Sequence, residues 1–199
     1  MSVGCQPGES DVNCVHLSDL ELLKCAIGAR EAALLYQGKL TPLFKPSDNL
    51  RWSHRRLAAT HELVKRWLAE EMKREVVFRD PKAVTQYLTT FFAGKDIESF
   101  VVMYLDNQHR MILAEEVSRG TIDGASVYPR EVVKGALRNN AAAVIFSHNH
   151  PSGVAEPSAA DRALTERLKA ALATVNIRVL DHFVVGGSSA TSFAERGWL

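Results

Sequence analysis

Residues 142–151, AAVIFSHNHP, constrain the fold more than any other stretch. Residues 142–147 form a short apolar run, the pattern of a buried strand. Pro151 has no N–H to give to a strand ladder, so the strand stops there. Along a strand, residues i and i+2 point to the same face. His148 and His150 therefore present two imidazoles side by side where a strand opens into a loop, with Asn149 turned away.

The neighbouring elements fit the same architecture. Residues 99–117 read as a hairpin. Residues 100–105 are nearly all apolar, as in a strand covered on both faces. Asp106-Asn107-Gln108-His109 forms the turn, and 110–117 is the return strand. Pro129 starts a helix with Val132, Val133, Ala136 and Leu137 on one face. Asp161 lies early in a helix with the stripe Leu164, Leu168, Leu172 and Val175. Residues 177–185 read as a strand and 189–193 as a last short one. Strand, strand, helix, strand, helix, strand is an α/β domain, a mixed β-sheet flanked by helices.

The N-terminal part is helical by pattern. About fifteen residues rich in Gly, Pro, Ser and Asp read as a loose tail. Residues 17–35 read as one helix. Ser18 and Glu21 form its capping box, and Leu20, Leu22, Leu23 and Ile27 its stripe. A connection carries the chain to a long helix over 53–74, with Leu57, Val64, Trp67, Leu68 and Met72 on its apolar face. Asp80 caps a further helix that begins at Pro81 and stops at Gly94. The expected division is a small helical N-terminal region over 1–79 and the α/β domain over 80–199.

Bulk properties exclude little. The 199 residues are 46% hydrophobic and 24% charged, with a net charge of +1. That suits a globular protein and predicts no strongly charged partner. Arg55, Arg56, Lys65, Arg66, Lys73 and Arg74 line the long helix, but Glu62, Glu70 and Glu71 offset them. A solvated helix face explains them more simply than a nucleic-acid patch. Cys5, Cys14 and Cys25 are odd in number and contain no C-x-x-C pair, so they read as small buried hydrophobes rather than a disulfide framework. A signal peptide and a membrane-length apolar run are both missing, so no membrane association is expected and the expected location is the cytoplasm.

The loop after the histidines carries the chemistry. Gly153 and Pro157 let it fold back, Ser158 starts a helix, and Asp161 sits in its first turn. Two neutral imidazoles and a carboxylate make three ligands of a tetrahedral zinc site whose fourth position is open to water. Separate explanations compete. With 7 histidines in 199 residues, chance alone gives about 0.25 His-X-His pairs. Ser158-x-x-Asp161 is also a plain helix cap. Neither explains why two histidines end an apolar strand, where unpartnered imidazoles are costly.

His148-x-His150, seven residues, Ser158, two residues and Asp161 resembles the JAMM motif of the JAB/MPN metalloprotease superfamily. The stretches GTIDGASVYPREVVKGAL, NNAAAVIFSHNHPSG, EPSAADRALTERL and VLDHFVVGG are similar to the C-terminal domain of the bacterial RadC family. The resemblance runs from about residue 80 to the end. It implies a JAB/MPN-like fold with cytidine-deaminase-like layering, and one Zn2+ held by His148, His150 and Asp161. It further implies cleavage of a peptide or isopeptide bond by a metal-activated water. Glu98, in ESFVVMYLD, matches the general base; spacing alone does not choose it over Glu115, Glu116 or Glu131. Ser158 matches the position whose hydroxyl stabilises the oxyanion, with its capping role as a rival.

The same resemblance leads one to expect a helix-hairpin-helix with a Gly-x-Gly hairpin upstream. The sequence there is PSDNLRWSHRRLAAT, without one. A DNA-associated accessory protein with a structural or vestigial metal site is the alternative reading. Among other residues, His182 reads as a satisfied core histidine, with a partner role at the site as the alternative. Arg130 reads as a surface residue, with anion binding in a cleft as the alternative. Asn149 and Ser152 read as loop-orienting.

Overall fold

The computed structural model describes residues 14–44, 51–74, 81–120 and 127–199. The expected tail through residue 13 with Cys5, the connection over 45–50 and the Asp80 cap lie outside the described residues. The chain divides into two compact units, Met1–Leu63 and Val64–Leu199.

In the first unit, α1 (Asp19–Ile27) opens with the expected reciprocal box. The Ser18 hydroxyl accepts from the Glu21 N–H, and the Glu21 carboxylate accepts from the Ser18 N–H at 2.8 Å. The single helix expected over 17–35 is instead two. Gly28, at φ 89°, ends α1, and α2 (Ala29–Leu35) starts anew. Only glycine takes that backbone conformation without a steric cost, so the break is local chemistry. Leu23, Ile27, Ala32, Leu43 and Leu57 form this unit's core. Leu22 stays exposed. Cys14 and Cys25 are exposed too, contrary to the buried reading, and neither is in a disulfide.

Helix α3 (Trp52–Arg74) begins in the first unit and ends in the second. Of its expected stripe, Leu57, Leu68 and Met72 are buried, but Val64 and Trp67 are exposed.

The second unit is built on a five-stranded mixed sheet of order β2-β1-β3-β4-β5. Its strands are β1 (Ser99–Leu105), β2 (Met111–Arg119), β3 (Ala143–Asn149), β4 (Arg178–Gly186) and β5 (Ser189–Ser192). The helices are α4 (Pro81–Phe92), α5 (Pro129–Arg138) and α6 (Ala159–Ala173). Among the described residues, only β3 and β4 pair in parallel. A parallel pair needs a crossover, and α6 is that crossover.

Both faces of the sheet are covered, as the apolar runs require. Val101, Met103 and Leu105 pack with Val84, Leu88 and Phe92 of α4 and with Met72 of α3. Phe100, Val102 and Tyr104 pack on the other face with Val132 and Ala136 of α5 and Leu168 and Leu172 of α6. The period of two thus sorts β1 into two half-cores. On β3, Val144 and Phe146 belong to the α5/α6 face, so His148 follows them onto it. Among the described residues, no helix is long and apolar enough to cross a membrane.

Candidate metal centre

The site forms where β3 ends and α6 begins, at the carboxyl end of a parallel strand, where open α/β sheets commonly place ligands. His148 is the penultimate residue of β3 and His150 lies one residue beyond it. Their rings converge edge to face, with the two Nε2 atoms 3.0 Å apart. The Nδ1 of His150 lies 2.9 Å from the Val154 carbonyl. A carbonyl only accepts, so this ring carries its proton on Nδ1 and turns a lone pair inward. Ser152 accepts from the Val154 N–H at 3.4 Å and shapes the same turn.

Asp161 enters from the first turn of α6. Its Oδ1 is 3.3 Å from His148 Nε2 and its Oδ2 is 3.8 Å from His150 Nε2. Oδ2 also accepts from the Ser158 N–H and hydroxyl, both at 2.7 Å, while Ser158 Oγ accepts from the Asp161 N–H at 3.1 Å. The helix cap therefore aims the carboxylate, leaving Oδ1 toward the histidines. Burial pushes the Asp161 carboxyl up, but the His148 imidazole and the Ser158 donors outweigh it and hold the group below the ordinary carboxylate range.

Glu98 arrives from β1. Phe100 pairs with His148 across the antiparallel β1–β3 ladder. Continuing that register by two residues sets Glu98 opposite His150. Its Oε1 is 3.8 Å from His150 Nε2 and 3.9 Å from His148 Nε2. Glu98, His148 and His150 offer ligand atoms that all lie within 4.8 Å of one another. The other carboxylates considered from sequence are engaged elsewhere. Glu115 meets Tyr104 and Arg138, Glu116 meets Lys95, and Glu131 meets Lys134 and Arg130.

The donor set fits a small divalent cation. A tetrahedral ion with bonds of 2.0–2.1 Å sets its ligand atoms about 3.3 Å apart. The Nε2–Nε2 and Nε2–Oδ1 separations of 3.0 and 3.3 Å are close to that edge. A cleft of about 480 Å³ opens over Glu98, His148 and Asp161, walled by Phe100, Val127, Leu164 and Arg167.

Three neighbours carry more than the sequence assigned them. His182 is fully buried, and its Nε2 lies 2.9 Å from His148 Nδ1. It is both a satisfied core residue and a partner of the site. Burial first, and the nearby His148 second, push its pKa well down. Thr165, one helical turn after Asp161, touches the far side of that ring at 2.6 Å. Asn149 reaches across to the backbone on either side of Glu98. Arg130 stays at the surface over the Tyr128 ring, as expected.

The chain is similar to known proteins over the domain that carries these residues. The model of the RadC-like JAB domain matches residues 78–198. A UPF0758 protein of Methylibium petroleiphilum is 59% identical over 143 residues, which is 72% of this chain and 64% of that protein. One from Vibrio cholerae is 57% identical over 143 residues, with the same coverage, and one from Vibrio parahaemolyticus is 49% identical over 170 residues, 81% of this chain and 76% of its own length. The chain thus spans under two-thirds of the length of several curated relatives. With a mixed five-stranded sheet flanked by helices and the matched domain covering the sheet and its site, the chain belongs to the RadC family of JAB-domain proteins.

Proposed function

We propose that this protein is a zinc-dependent hydrolase of amide bonds, with His148, His150 and Asp161 as metal ligands and Glu98 as general base. The observation that carries the reading is that both carboxylates lie within 4 Å of both imidazole Nε2 atoms, beside a cleft lined by Glu98, His148 and Asp161. Asp161 is the better ligand because its Oδ1 is nearer to His148 Nε2 than Glu98 is. Asp161 is also almost fully buried, whereas Glu98 keeps 17% of its side chain exposed toward the cleft.

His148, His150 and Asp161 would hold the zinc, which would supply Lewis acidity to the attacking water and to the scissile carbonyl. In this reading Glu98, within 4 Å of both imidazoles, accepts a proton from the attacking water and returns it to the leaving amine. The apolar walls of Phe100, Val127 and Leu164 seat the substrate chain and thin out the water around the reacting bond.

The test is a peptide library incubated with zinc-loaded protein, read by mass spectrometry for new termini. The reading expects new termini with wild type and none with Glu98→Gln. Equal cleavage by both, or none by either, contradicts it.

A further inference from the structure

Four groups form a chain running from the ligand-bearing helix to the ligand-bearing strand. Thr165 Oγ1 lies 2.6 Å from the Asp161 carbonyl and 2.6 Å from His182 Nδ1. His182 Nε2 lies 2.9 Å from His148 Nδ1. The direction of the protons follows from what each atom can do. The Asp161 carbonyl only accepts, so the single hydroxyl hydrogen of Thr165 goes to it. The Thr165 oxygen must then accept from His182, which places that ring's proton on Nδ1. The His182 Nε2 is left with a lone pair and accepts from His148 Nδ1–H. In the neutral His148 ring, Nε2 is then the atom without a proton, and it faces His150 Nε2 and Asp161 Oδ1.

We propose that Thr165 and His182 are positioning residues that fix His148 in the tautomer whose Nε2 lone pair faces the metal position, and tie that ring to the Asp161 backbone. The inference rests on the metal reading above for its purpose but not for its geometry. It also bears on why a cation suits the two histidines. The Val154 carbonyl holds His150 in the matching tautomer, so two lone pairs meet 3.0 Å apart. With both rings neutral, neither can donate to the other, and the facing lone pairs repel unless a metal ion or a proton lies between them.

Zinc affinity, measured by competition with a chromophoric chelator, reads the relay. Partners behind a ligating histidine are worth about 10- to 100-fold in metal affinity. Thr165→Val, which keeps the shape and removes the hydroxyl, is expected to weaken zinc binding by that factor. Thr165→Ser is expected to restore most of it, and His182→Gln, which can still accept from His148, to bind more tightly than His182→Leu. A merely structural role would lower the melting temperature of Thr165→Val and leave its zinc affinity unchanged; that result overturns the proposal. Imidazole 15N shifts of the metal-free wild type give an independent reading. His182 protonated on Nδ1 supports the relay, and His182 protonated on Nε2 overturns it. Wild-type protein that takes up no zinc overturns the metal reading, while the tautomer still decides the relay.

Discussion

Asn149, the residue between the two histidines, grips the backbone on both sides of Glu98. Its Oδ1 accepts from the Ser99 N–H at 2.9 Å, and its Nδ2 donates to the Ile97 carbonyl at 3.2 Å. One strand end thus places its two histidines in the site and, through the residue between them, fixes the carboxylate from the next strand. Asn149→Ala removes both bonds and leaves a buried N–H at Ser99 without its partner, a cost of about 1–3 kcal/mol. Misplacing a catalytic group by about 1 Å can cost about 100-fold in rate. The expected outcome is a fall in kcat of that order with zinc content unchanged, measured by amide hydrolysis and metal analysis on the same preparation.

Ser158 is committed to the helix cap. Its hydroxyl hydrogen goes to Asp161 Oδ2 and its oxygen accepts from the Asp161 N–H. Ser158→Ala should therefore cost about 1 kcal/mol of stability. With zinc at saturation, kcat should fall less than about tenfold, since losing a true oxyanion donor costs about 10²–10³. Denaturant unfolding and kinetics at saturating zinc separate the two roles.

Gly186 lets the site loop lie against β4. A Cβ there would meet the backbone of that loop, 2.4 Å from Ala155 N and 2.5 Å from the Val154 carbonyl carbon. Gly186→Ala must displace the segment whose Val154 carbonyl orients His150. The expected result is a loss of about 1–3 kcal/mol in stability together with weaker zinc binding. Unchanged zinc affinity would show that the loop absorbs the methyl group without moving His150.

Asp161 sets a pH dependence in the metal-free protein. Its folded pKa lies below the unfolded value of about 3.9. The ionised form is thus favoured by folding, and the contribution is complete above the unfolded value. It is lost as pH falls from there through the folded value. Denaturant unfolding with chelator present should show this acid-side slope in wild type and a smaller one in Asp161→Asn. Equal slopes would mean that the Ser158 and His148 contacts do not favour the ionised group.

The sequence exposes what is local and hides what depends on register. Nearly continuous apolar runs over 100–105 and 142–147 were enough for a sheet covered on both faces, and the i, i+2 rule was enough to pair His148 with His150. Pro151 marked the strand end, and Ser158-x-x-Asp161 the helix start. Glu98 is different, because its place depends on Phe100 standing opposite His148 across two strands. No property of the segment around Glu98 encodes that pairing, so only the family resemblance singled it out. His182 was legible only as an alternative partner and Thr165 not at all, for the same reason: they meet behind His148 only because β4 pairs with β3 and α6 packs on that face. The break at Gly28 was local and legible, yet the apolar stripe running through it suggested one helix.

Metal content is the most direct test of the central claim that His148, His150 and Asp161 hold a catalytic zinc with Glu98 as base. Inductively coupled plasma mass spectrometry on purified protein after zinc loading and desalting should find about one zinc per chain in wild type and in Glu98→Gln. It should find almost none in His148→Ala. Wild type without stoichiometric metal, or His148→Ala with its zinc retained, would contradict the account.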